Sequence, residues 1–443
     1  MSGIETLDRA LLERTEADVI VVGGGPAGSV TAALLAKRGL HVLVVEKSLQ
    51  TARRICGEYL SPKAVHDLAR LGLLDRALKA GGLRILGMRI VSPGGIEVDH
   101  SFAPASHALS VPRPRFDQAL LQYATECGAR LLRGILVTRL KTDDGGADVH
   151  VVFNGRQGVL RADMVIGADG RFSVVARSLG LTVAERRAGR GVVHGWLKPE
   201  QSFGDRAEMH LFEDGSYLGV NPLSDGTVNL SWVSDDEVVG RIALRREGKL
   251  ALQDRLHRRS ELGRRFERAS WVGDVRYLLP LAVDRRGSAG DRAILVGDAA
   301  GFVDPLTGEG MHLAIVSAQQ AAECAVQALQ RRTLKRAAFA SYERARICTF
   351  LEKRLFHRSL QWLIRRPALL DSLARRLLLC DSSRCRWLEV ISDLLPARRL
   401  LAPSFWWPLL AVRPRETERH KDGTQAGMGT MQRRARILRA KQP

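Results

Sequence analysis

Paired cysteines are missing. The six cysteines of this 443-residue chain are scattered, and no two form a C-x-x-C pair. A disulfide framework and a zinc site are therefore not expected. A secretory leader is not expected either, because the opening stretch MSGIETLDRALLERTEAD is charged and has no apolar centre. Long hydrophobic runs are also lacking. The longest near the end, LLAPSFWWPLLAV, has 13 residues and two prolines, too short to span a bilayer. No internal repeat is visible. These absences predict a cytoplasmic protein in a reducing compartment, with no metal centre.

What is present is a globular composition, 45% hydrophobic, in a chain long enough for two packed domains. The net charge of +20 is uneven, with 26 Lys and Arg against 9 Asp and Glu from Arg331 onward. The first three quarters are nearly neutral. The basic character is assigned to a C-terminal appendage.

The stretch VIVVGGGPAGS, Val19 to Ser29, carries the strongest signal. A β-branched apolar strand runs into Gly23, Gly25 and Gly28, which spell G-x-G-x-x-G. The first glycine permits a sharp turn, the second lets the backbone approach a pyrophosphate, and the third lets the next helix pack closely. That helix, Ala27 to about Lys37, offers free N–H groups and its positive dipole end to phosphates. A second apolar strand, HVLVVEK, ends near Glu46, 18 positions after Gly28, where a ribose-binding carboxylate is expected. The unit predicts a bound dinucleotide and does not distinguish NAD from FAD.

Two further segments complete a pattern: VIGADGRFSVVAR (Val165–Arg177) and ILVGDAAGFVDPLTGEG (Ile294–Gly310). In this order the three resemble the FAD-dependent hydroxylase and geranylgeranyl-reductase superfamily, the para-hydroxybenzoate hydroxylase type of fold, over about Asp18 to Leu329. The resemblance implies an α/β fold: a Rossmann-like FAD-binding domain, an inserted antiparallel-sheet substrate domain and a helical C-terminal extension. The expected boundaries are 17–82, 108–180 and 271–332 for the FAD domain, and 83–107 and 181–270 for the substrate domain. A basic helical region follows over 333–412, then a disordered tail over 413–443.

The same resemblance assigns FAD contacts to Gly23, Gly25, Pro26, Ala27, Gly28, Glu46, Lys47 and Val137. Asp298 in GDAAG resembles the carboxylate that binds the ribityl chain. Asp169 in GADG resembles the acid of the second fingerprint, with the N-cap of the following helix as its other reading. Arg113 in VPRPRFDQAL matches the arginine before the flavin-side helix, or is a solvated surface arginine. Gly308 and Gly310 would let backbone reach the isoalloxazine edge beside a rigid Pro305. A helix beginning near Met311 would aim its N-terminus at N1 and O2 of the ring, where the reduced flavin is anionic.

RICGEYLSP, Arg54 to Pro62, resembles the CGG-LSP loop of geranylgeranyl reductases, with Cys56 at the cysteine position. Glu309 and His312 lean the same way, because hydroxylases more often have Gln and Asn there. The reductases' Y-x-W-x-F-P motif is altered: YLGVNP keeps Tyr217 and Pro222 but has Gly219 and Asn221 in place of the aromatics. The W-x-W-x-I-P of halogenases is absent. Cys56 is either a packing thiol or a chemical group. His194, His210 and Tyr217 lie on the expected substrate sheet, as packing residues or as a base for a phenol. The leading expectation is a monooxygenase of an apolar aromatic or polyketide-like molecule. It would use NAD(P)H, bound transiently, and O2. The alternative is a reductase of C=C bonds in a prenyl or lipid chain, and the minor one a non-catalytic flavin protein recruited by its basic tail.

In TFLEKRLFHRSLQWLIRR, Leu351, Leu355, Leu360, Leu363 and Ile364 stand at roughly helical spacing among Lys and Arg. Packing on the FAD domain is expected, and peripheral contact with anionic lipid is the alternative. Nucleic-acid binding is not expected, and the oligomeric state is open.

Overall fold

A computed structural model describes residues 16–183, 189–302, 306 and 308–411. Strand Glu16–Val22 is the centre of the first sheet. It pairs in parallel with Val42–Glu46 on one side and Arg156–Gly167 on the other. Arg130–Arg133 and Ala293–Leu295 extend the parallel array outward. The strands are apolar without alternation because both faces are covered. Val19, Val21, Val42 and Val44 pack against helices Pro26–Ala36 and Gly310–Gln330. Ile20, Val22, Leu43 and Val45 pack instead against the ribbon Leu136–Asp143 and Gly146–Phe153.

The second sheet runs in the order Ser270–Trp271, Arg190–Lys198, Val228–Asp235, Tyr217–Pro222, Arg206–Leu211, Gly87–Val91, Glu97–Ser101. Period-two alternation separates its faces. Val193, Leu197, Leu218, Leu230 and Trp232 face the helices Asp236–Arg245, Gly248–His257 and Ser260–Phe266. Val192, Tyr217 and Val233 face the opposite way, toward the first sheet and the C-terminal helices.

Three expectations are corrected. Arg276–Leu278 pairs with Val192–His194, so the substrate sheet continues beyond the boundary at 270. Leu83–Ile85 joins Tyr59–Leu60 and Ala108–Ser110 in a separate three-stranded sheet and not the substrate sheet. The C-terminal region is no appendage. Helices Ala340–Ile364, Pro367–Leu378, Asp381–Ile391 and Pro403–Ala411 pack onto the inner face of the substrate sheet through Leu360, Ile364, Leu370, Leu377, Trp387 and Phe405. Only the start of the first helix, at Tyr342, sits on the nucleotide side. Apolar spacing reveals that a helix has a buried face, but not which neighbour buries it. The tail after Arg413 lies outside the described residues.

Candidate active site

The parallel strands end on a cavity of about 600 Å3 enclosed between the two sheets. At its nucleotide end the glycines have distinct duties. Gly23 has φ +104°, and a Cβ there would stand 2.5 Å from the Ala168 carbonyl oxygen. A Cβ on Gly28 would fall 1.9 Å from the Gly23 oxygen. Strand, turn and helix can therefore meet only with hydrogen at both positions. A Cβ on Gly25 would meet nothing within 4 Å, because that glycine faces the cavity. Pro26 begins the helix, where its missing N–H costs nothing. The Glu46 carboxylate is anchored by the Gly24 N–H at 2.8 Å and the Ser48 N–H at 2.9 Å.

Midway along, Asp169 Oδ2 accepts from the Val174 N–H at 2.6 Å, at the start of the helix Val174–Ser178 that Ser173 caps. Its Oδ1 is buried without a partner. The N-cap position expected of this acid is thus taken by Ser173, and Asp169 bonds the same helix start from the cavity wall. Burial raises its pKa, and its hydrogen bonds pull it back. Asp298 follows strand Ala293–Leu295, 3.9 Å from the Arg171 guanidinium. Burial raises its pKa, opposed by Arg171 and Arg113. Arg113 is no solvated surface group, because it grips Asp117 with two hydrogen bonds of 2.8 Å beside the cavity.

At the far end, Gly308 (φ +68°) passes against the Tyr59 ring, and helix Gly310–Gln330 starts at the cavity wall. Lys47, Val137, Gly310 and Met311 also line the wall; Gly28 sits behind it, and Pro305 lies outside the described residues. Beneath the helix start is a buried charge cluster. Glu309 Oε2 is 2.6 Å from Lys353 Nζ, which is 2.8 Å from Asp393 Oδ1. His312 places Nδ1 2.6 Å from Asp393 Oδ2 and Nε2 3.0 Å from Asp67 Oδ2. Burial opposes charge on His312, Lys353, Asp393 and Asp67. Even so, the carboxylates raise the pKa of His312 and Lys353, and those two cations lower that of Asp393.

The substrate-sheet wall is mostly apolar, with Met88, Val192, Ala207, Met209, Val233 and Leu281 exposed to the cavity. Cys56 and Tyr217 line it; His194 and His210 do not. His194 is fully buried, with Nδ1 2.9 Å from Ser231 Oγ and its ring edge-on to Trp196. Burial, then Arg276 and Arg53, push its pKa down to about 3, so it is a poor base at neutral pH. His210 is buried at 3.0 Å from Glu208, and burial lowers its pKa against the pull of that carboxylate. The expectation that either histidine reaches a substrate is therefore corrected. A strand position chooses the face of a sheet, but not the depth at which a ring stops.

Residues 16–349 match the family model described as FAD binding domain. The chain belongs to that family. The menaquinone reductase of Mycolicibacterium smegmatis is 33% identical over 328 residues, covering 70% of this chain and 76% of that one. The rifampicin monooxygenase of Streptomyces venezuelae is 29% identical over 314 residues, covering 68% of this chain and 62% of that one. The solved flavoprotein/dehydrogenase of Cytophaga hutchinsonii has the same fold, with a TM-score of 0.74 and 22% identity, covering 85% of this chain and 93% of that chain.

The protein is thus a flavoprotein oxidoreductase, and its cavity fits FAD. The open side of Gly25 is a cradle that any Cβ would fill, and the helix behind it presents N–H groups to a diphosphate. The unpartnered Asp169 Oδ1 awaits a donor. Among the described residues, no helix is long and apolar enough to cross a membrane.

Sequence reasoning missed Glu58. It is buried at φ +53°, where the reductase loop has glycine. Its carboxylate accepts from Trp196 Nε1 at 2.8 Å, Asn229 Nδ2 at 2.9 Å and the Arg113 N–H at 2.9 Å. A left-handed non-glycine residue costs roughly 1 kcal/mol, which these bonds offset. Asn221 Nδ2 and Asn229 Nδ2 also hold the Gly57 and Cys56 carbonyls. Asn221, a departure from the aromatic motif, is thus part of a clamp on the cysteine loop. The signal for Glu58 was a charged residue at a glycine position. Lys353 and Asp393 gave none.

Proposed function

We propose that the protein reduces a C=C bond in the isoprenoid chain of a lipid-like molecule, with NAD(P)H as the electron source. The carrying observation is the chemistry of the cavity wall. Of the four candidate catalytic side chains only Cys56 and Tyr217 line it, on an otherwise largely apolar surface. Hydroxylation of a phenol calls for a base near neutral pKa, and neither histidine fills that role.

Reduction of an alkene adds a hydride to one carbon and a proton to the other. FAD, when bound and reduced, supplies the hydride. The chain's part is to hold an apolar substrate, exclude water and keep a proton ready at Cys56 Sγ. Arg113 and Arg171 line the same cavity as that thiol. The clamp of Glu58, Asn221 and Asn229 fixes the loop that carries it. The relationship to a reductase of menaquinone, a prenylated molecule, supports this reading.

A second reading, oxygenation of an aromatic or polyketide-like ring, is supported by the likeness to rifampicin monooxygenase. The test is anaerobic turnover of prenylated quinones and geranylgeranyl lipids with NAD(P)H, read by mass spectrometry. A product heavier by two hydrogens without O2, reduced more than about tenfold in Cys56→Ala, supports the proposal. Turnover only with O2, giving a product heavier by one oxygen, overturns it.

A further inference from the structure

The C-terminal helices have an outer face that the fold leaves uncovered. On helix Ala340–Ile364 the buried residues His357, Leu360 and Ile364 occupy one side. Ile347, Leu351, Leu355 and Trp362 lie on the opposite side, each more than half exposed. At 3.6 residues per turn these four fall in one sector about 100° wide. Arg344, Arg354, Arg358 and Arg365 share that sector, and no acidic residue does. Arg344 and Arg358 form no ion pair among the described residues, whereas Arg354 and Arg365 sit 3.5 and 3.6 Å from Asp284 and Asp235.

A second exposed group adjoins the first. Arg398 bonds Glu352 through its backbone N–H at 3.0 Å, which fixes the turn Ala397–Leu401 alongside the helix. Leu401 is 80% exposed, and Trp407 and Leu410 on the next helix are 76% and 69% exposed. Phe405 and Leu409 hold that helix down from below. The sequence that follows, 412–443, adds nine Lys and Arg against three acids.

We propose that this face docks on an anionic lipid bilayer. Tryptophan and leucine interleaved with arginine match an interfacial surface, with apolar tips in the acyl boundary and guanidinium groups at phosphate depth. Charge complementarity selects the lipid. A basic surface repels a second copy of itself, and the large exposed aliphatic groups have no use in a purely electrostatic contact with nucleic acid. The placement is also apt. The inner side of this helix layer packs with Val192, Tyr217 and Leu281, which line the cavity. The proposed membrane face is therefore about one helix diameter, roughly 10 Å, from the substrate wall.

The test uses the full-length, FAD-loaded protein in co-sedimentation with vesicles of phosphatidylglycerol and phosphatidylcholine, and of phosphatidylcholine alone. Binding is expected to the anionic vesicles only, falling as salt rises. Arg344→Glu with Arg358→Glu lowers the partition coefficient more than about tenfold. Leu355→Glu with Trp407→Glu abolishes binding at all salt concentrations. All four positions are exposed, so the melting temperature and flavin content of both variants stay at wild-type values. No binding by the wild type, or unchanged binding by either variant, overturns the proposal. So does self-association in light scattering, or binding to single-stranded RNA, that disappears in the same variants. None of these readouts involves turnover, so they stand apart from the test of the reaction.

Discussion

The two ends of the FAD site are built by opposite strategies. The nucleotide end is local: Gly23, Gly25, Gly28 and Glu46 lie within one β-α-β unit, and backbone sterics specify it. The ring end is assembled from afar. Asp393 bonds Ser61 across 332 positions, and Lys353 spans Glu309 and Asp393 across 44 and 40. The phosphate cradle is therefore made by short-range geometry. The support under the start of helix Gly310–Gln330 is a buried charge cluster that exists only once the C-terminal helices have docked. The helices of the basic last quarter of the chain are part of the enzyme's core.

This contrast can be broken most forcefully at Asp393. Asp393→Ala leaves His312 and Lys353 buried with reduced compensation, and removing one partner of a buried pair costs about 3–5 kcal/mol. Chemical denaturation should show that loss, along with weaker FAD retention. An unchanged midpoint would mean that the cluster is incidental.

The glycines sharpen the other side. Gly28→Ala drives a methyl into the Gly23 carbonyl. It should cost about 1–3 kcal/mol or more in stability and prevent flavin uptake. Gly25→Ala meets no atom of the protein. Its melting temperature should match the wild type while FAD affinity falls, because the methyl occupies the diphosphate's place. If the two variants behave alike, the division of duties is wrong.

A smaller effect is expected from pH. The pKa of His312 is raised in the fold, so its contribution is complete below the unfolded imidazole value near 6.5 and is lost as pH rises through the folded value. That of Asp393 is lowered, so its contribution is present above about 4 and lost as pH falls toward the folded value. The stability gap between wild type and His312→Asn should thus be widest between about pH 4 and 6.5 and narrow on the alkaline side. A gap that widens at alkaline pH contradicts the assignment.

The same contrast explains what was legible in the sequence. The first strand, the glycine turn, its helix and Glu46 were readable because all lie in one short stretch of chain, Glu46 being 22 positions from its partner Gly24. The alternating substrate strands were readable too, although Arg276–Leu278 was not recognised as one of them. The ring-end cluster was not. Glu309 and His312 stood out as departures from the hydroxylase pattern, but their partners Lys353 and Asp393 lie in the C-terminal region, where the apolar spacing of the first helix was read as packing on the FAD domain. His194 and His210 failed for a related reason. Alternation put them on the sheet, but it does not reveal which group each ring meets: His194 bonds Ser231 across a strand pair, and His210 bonds Glu208 two residues away on its own strand.

The central claim, that the C-terminal helices build the ring end and not the nucleotide end, is tested most directly by titrating wild type and Asp393→Asn with FAD and with ADP. The account predicts that the variant binds ADP as the wild type does and FAD at least about tenfold more weakly, since it lacks only the charge beneath the ring. Equal loss of both ligands, or of neither, would contradict it.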